Sequence, residues 1–221
     1  MTSVNLDTGF RPMLHGFAFP NSWRDTVLGV IASRGRCGGM VFAALDAFAA
    51  DVALPPAARE RVLPAHDAPL ARWIWRRQLD SVLLPPGANL ARFARFTYLP
   101  TTHTLGIGTA TRAELLRLLD LLRSGRPAPL GLVSALGLPH IARNHQVLAY
   151  AADFGDERAS VRVYDPNHPL RDDVTIDVPY ALTAEVVERI GTREKRWRGF
   201  FVEDYVPQQS PGWFSSGLHT S

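Results

Sequence analysis

Among the 221 residues there is a single cysteine, Cys37. That excludes an internal disulfide and any cysteine-rich zinc module. Lysine is equally scarce: Lys195 is the only one, and the other basic side chains are arginines scattered through stretches such as 112 to 126. With a formal charge of only +3, no basic block and no stacked aromatic platform, no nucleic-acid partner is expected. No apolar run approaches the roughly 20 residues of a membrane span, so no membrane partner is expected either. The first ten residues, Met1 to Phe10, lack the basic segment and apolar run of a secretory signal. The expected location is cytoplasmic, with export by a signal-independent route left open.

What is present reads as one globular domain over residues 1–207, followed by a mobile tail over 208–221 rich in Ser and Gly. Residues 1–35 are broken by Pro12, Gly16, Pro20, Gly29 and Gly35, while Phe10, Phe17, Phe19 and Trp23 supply aromatic surface to pack on the body. Met40, Val41, Ala44, Leu45 and Phe48 recur at helical spacing in a segment apolar almost all round, which predicts a buried helix starting at Cys37. A second helix is predicted over 69–84, with Arg76, Arg77 and Asp80 solvated. A third is predicted over 111–124, opened by a Thr111–Glu114 capping box and stopped by Gly125. Residues 88–110 fit helix or strand, and their Gly106 and Gly108 are too few for a nucleotide fingerprint.

After Gly125 the period becomes strand-like, over 130–134, 145–151, 160–164, 174–178 and 198–206. The short turns between these runs favour antiparallel pairing. Helices first and strands second make the fold class α+β, with a buried central helix packed on a C-terminal antiparallel sheet.

Three side chains stand out for chemistry. A thiol at a helix N-terminus faces unpaired N–H groups and the positive end of the macrodipole, which favour a thiolate nucleophile. His145 opens a strand, and Asp165 ends the next one, ahead of Pro166. A hairpin between these strands, turning near Gly155, brings carboxylate and imidazole together, as a base and its orienter require. Taken singly, Cys37 reads as a small buried hydrophobe, His145 as a core histidine and Asp165 as a turn cap. Their order and placement favour the triad. A metal site from His103, His140, His145 and His168 lacks the close-spaced ligand pair of zinc sites, so neither metal nor cofactor is expected.

The stretches Gly35 to Gly39, Asn144 to Leu148 and Val163 to Pro166 together resemble the papain-like cysteine peptidase superfamily, most nearly its bacterial C39-like branch. The resemblance spans roughly residues 30–170. It implies a papain-like fold, Cys37 as nucleophile, His145 as base, Asp165 as orienter and a peptide or protein substrate. The family also places a Gln ahead of the Cys as an oxyanion donor, and here no Gln precedes Gln78. Asn21, Ser33 and Arg34 are the candidates for that role, with Trp23 and Tyr150 as cleft walls. The reading is a thiol-dependent hydrolase or acyl transferase of peptidase, amidase or deamidase type. The alternatives are a catalytically silent binding domain and a toxin or effector using the same triad. Oligomeric state is left open.

Overall fold

The computed structural model describes residues 4–27, 31–83, 88–101, 105–134, 136–137, 143–181 and 185–217. Ten residues in succession, Gly38 to Ala47, are buried in the central helix α2 (Cys37–Ala49), the burial its all-round apolar sequence requires. Against it lies α3 (Pro69–Leu83), with Leu70, Ala71 and Ile74 turned inward. Gly39 permits the close approach, since a Cβ there would stand 2.1 Å from the Ile74 carbonyl oxygen. Arg77 is not solvated as its neighbours suggested. It is fully buried, with Nε 2.7 Å from Asp46 Oδ2 on α2 and its guanidinium over the Phe42 ring.

The helix α4 (Ala88–Tyr98) occupies the stretch where the sequence allowed two readings. The next helix, α5 (Ile107–Arg123), starts four residues earlier than predicted, so Thr111 and Glu114 form no capping box. Instead they serve a strand edge: Thr111 Oγ1 and Glu114 Oε2 accept from the backbone N–H groups of Phe200 and Val202. The C-terminal stop holds, because Gly125, at φ +73°, lets its own N–H and that of Arg126 bond back to Leu122 and Leu121.

The main sheet is antiparallel throughout, ordered β10 (Gly199–Val202), β4 (Ala128–Val133), β5 (His145–Phe154), β6 (Arg158–Tyr164), β7 (Val174–Pro179), β8 (Val186–Ile190), β9 (Arg193–Trp197). A further strand, β1 (Val4–Asp7), pairs with the second half of β5 where β4 leaves off. The strands β9 and β10 lie at opposite edges yet are joined by Arg198 alone, so the sheet curls nearly back on itself. Alternate residues of β5 feed two cores. Leu148 and Tyr150 pack against α2, whereas Val147 and Ala149 join α5 and the inside of the curl.

The architecture is thus α+β, with helices packed on an antiparallel sheet as expected. Five described strands lie outside the runs expected from the sequence: β1, β8, β9, and the hairpin of β2 (Arg24–Val27) with β3 (Ile31–Arg34). In β9, Arg193, Glu194, Lys195 and Arg196 are exposed on an edge. The expected mobile tail is seated on the body as far as Phe214. Gln208 N–H donates to Asp46, and Phe214 is fully buried beside Trp73. A short helix α1 (Pro12–His15) and 3₁₀ turns at Pro56–Ala58 and Gly212–Gly217 complete the described elements.

Candidate active site

Cys37 is the first residue of α2 and is half-buried. Its approach is fixed by Arg36, whose buried guanidinium holds Asp25 of β2 through Nε at 2.8 Å and Nη2 at 2.9 Å, and the Ala71 carbonyl through Nη1. Gly35, at φ +97°, makes the bend before the helix, a conformation glycine adopts without steric cost.

The hairpin of β5 and β6 sets the other half of the site. Tyr164 pairs with Leu148, so the next residue, Asp165, continues alongside the start of β5, where His145 stands. His145 Nε2 lies 2.7 Å from Asp165 Oδ1, and both side chains are buried. Cys37 also acts on this ring, its sulfur favouring the imidazolium by a side-chain hydrogen bond and by charge. On its face the imidazole stacks on the buried Trp197, ring centroids 6.2 Å apart at 16°. The three predicted side chains therefore converge.

Burial pulls the His145 pKa down, but the Asp165 carboxylate and the Cys37 sulfur outweigh it and hold the imidazole well above its usual value. Burial likewise raises Asp165, yet His145, the Asn167 N–H at 2.8 Å and His168 bring it down to about 2. The pair thus favours imidazolium against carboxylate.

Beneath Cys37 lies a layer of polar groups that sequence reasoning missed. Gln78 Oε1 accepts from Gly39 N–H at 3.0 Å, and its Nε2 donates to Gln146 Oε1 at 3.4 Å. Gln146 Oε1 is also 3.8 Å from Cys37 Sγ, and Gln146 Nε2 donates to Glu203 at 2.8 Å. Burial pushes the Glu203 carboxyl up to about 8, so it is largely neutral at pH 7. Gly38 leaves room for this layer: a Cβ there would stand 2.2 Å from Ser81 Oγ and 2.3 Å from Gln146 Oε1. Strand alternation was the available signal for Gln146, since it must face opposite to Val147 and hence toward α2.

Of the other candidates, Asn21 reaches the site. Its Oδ1 accepts from Arg36 N–H and its Nδ2 donates to Asn167 Oδ1 at 3.2 Å, while Asn167 Nδ2 lies 3.2 Å from His145 Nε2. Trp23 and Tyr150 are not cleft walls, each being 2% exposed. Trp23 carries the Arg36 guanidinium 4.8 Å above its ring and donates to the Pro64 carbonyl, and Tyr150 packs beside Phe10 in the α2 core. Ser33 and Arg34 sit on β3 opposite Asp25 and Arg24, and their side chains lie outside the described residues.

His103 and His140 also lie outside the described residues. Among those described, no group of three or more His, Cys, Asp or Glu side chains is arranged to hold a metal ion. No described helix is long and apolar enough to cross a membrane. No protein-family model, curated protein or solved structure matches the chain.

Proposed function

We propose that this chain is a thiol-dependent acyl-transfer enzyme of papain-like build, acting on an amide carbonyl of a peptide or protein. The observation that carries the reading is the buried 2.7 Å contact of Asp165 with the His145 ring, on which the Cys37 sulfur also acts. Cys37 thiolate adds to the carbonyl carbon. His145 passes its proton to the leaving nitrogen as the C–N bond breaks, leaving a thioester. Water then adds with His145 as base, and the thiolate departs. Hydrolysis of a backbone amide makes the chain a peptidase, and hydrolysis of a glutamine side chain makes it a deamidase.

The developing oxyanion needs two donors. One is the Cys37 N–H, which as the first of the helix has no partner within it. The second we assign to Asn21, whose carboxamide lies against Gly35 and the N–H of Arg36, immediately before the nucleophile. An asparagine from the preceding segment would thereby replace the glutamine of the C39-like pattern.

The test is alkylation by iodoacetamide, which reports one site because Cys37 is the only thiol. An unassisted thiol near pKa 8.5 is barely ionised at pH 6. The expected result is that at pH 6 the wild type is labelled at least about tenfold faster than His145→Ala. Equal rates in the two proteins would overturn the enzymatic reading and leave a silent binding domain.

A further inference from the structure

The most unusual buried group near the site is one the reaction above does not use. Glu188, on β8, is 2% exposed inside the curled sheet. Its Oε2 accepts from Trp197 Nε1 at 3.0 Å, and Trp197 is the ring on which His145 stacks. Its Oε1 is buried and meets no donor among the described residues. Asp165, 2.7 Å from the His145 ring that Trp197 stacks on, acts on Glu188 by its charge and by a side-chain hydrogen bond, both of which favour the neutral acid. Asp165 Oδ1 takes both His145 Nε2 and the Asn167 N–H, while Oδ2 faces His168 Nε2 only at 3.9 Å. Two carboxylates cannot share a dry site as two anions, and the arrangement is relieved by one proton between them.

We propose that Glu188 is a positioning residue of this site, a carboxylic acid that donates a hydrogen bond to the Asp165 carboxylate. The hydrogen-bonded series would then run Glu188, Asp165, His145, Cys37, with Trp197 tying its first and third members together. The assignment rests on the triad reading for its consequence, but the proton on Glu188 is measurable without it.

The surroundings agree. Burial and the Asp165 charge lift the Glu188 carboxyl to about 7, against smaller opposing effects of His145 and the Trp197 N–H. On β7 its register partner is Ile176, which is apolar. On β9 the partner is Lys195, whose Nζ is drawn 3.8 Å over the Trp197 ring. As pH rises through about 7, Glu188 would lose its donated proton and place a second negative charge beside Asp165. The hydrogen bond becomes a repulsion, and the carboxylate loses its fixed orientation toward His145.

The experiment uses the full chain with ¹³C-labelled glutamate side chains, the Glu188 signal being assigned from its loss in Glu188→Gln. The expected result is a Glu188 carboxyl signal titrating near 7, alongside an inflection at the same pH in the rate of Cys37 alkylation by iodoacetamide. Glu188→Ala should slow alkylation at pH 6 about tenfold. Glu188→Gln, whose amide can donate to Asp165 at every pH, should restore most of that loss and remove the inflection. A Glu188 signal titrating near 4.5 would overturn the proposal, as would a Gln variant as slow as the Ala variant. If instead Glu188 titrates near 7 while alkylation is indifferent to His145→Ala, the triad reading has failed and the shared proton stands.

Discussion

Replacing Glu203 by glutamine should leave the protein's stability at pH 5 close to wild type and raise it well above wild type at pH 9. Glu203 belongs to the polar layer beneath Cys37, with Oε1 accepting from Gln146 Nε2 and Oε2 buried with no hydrogen-bond partner among the described residues. Burial lifts its carboxyl from an ordinary 4.5 to about 8. For a group whose folded pKa is raised, the stabilising contribution is complete below the unfolded value and is lost as pH rises toward the folded one. The loss therefore starts near pH 4.5 and ends near pH 8, at about 1.4 kcal/mol per pH unit, or about 5 kcal/mol in all as an upper bound. Glutamine keeps an acceptor for Gln146 and carries no ionisable proton, so the variant escapes this loss. Urea unfolding followed by tryptophan fluorescence at pH 5, 7 and 9 measures the difference between the two proteins, in which all other titrating groups cancel. The gap should open from under about 1 kcal/mol at pH 5 to several at pH 9. Parallel curves across that range would refute the claim that Glu203 is held neutral.

Two substitutions test the remaining geometry. Asn21→Ala should lower turnover of a cleaved peptide substrate by about 100-fold or more while leaving iodoacetamide labelling of Cys37 near wild type, because a missing oxyanion donor affects acyl transfer and not the thiolate. Labelling that falls in step with turnover would show that Asn21 supports the helix start instead. Gly39→Ala should destabilise the fold by about 2 kcal/mol or more in chemical denaturation, since its Cβ would press on the Ile74 carbonyl and a main-chain atom cannot swing aside. A variant as stable as wild type would show that α2 and α3 are free to part.

The features legible in the sequence were those that a single element carries. The all-round apolar run after Cys37 could only be a buried helix, and the Gly155 turn joins the strands that present His145 and Asp165 to each other. What stayed hidden depends on contacts between elements distant in sequence. Arg77 has the look of a solvated residue until Asp46, on another helix, is placed against it. Thr111 and Glu114 have the spacing of a capping box, yet their oxygens answer the edge of a strand about ninety positions away. Glu188 and Trp197 lie in a charge-rich stretch that reads as surface, and only the curl of the sheet turns them inward onto the histidine. The five short strands escaped because the patterning of four or five residues, many of them polar, cannot outweigh local turn signals.

In the proposed mechanism the nucleophile stands on α2 and its base on β5, which has a consequence for biosynthesis. A ribosome emits Cys37 more than a hundred residues before His145, and the ring that braces the histidine comes fifty residues after that. During that interval the sulfur has no imidazole beside it. On the proposed mechanism the site is assembled only as the last strands wrap into place, so an unfinished chain lacks the partners that the reaction needs.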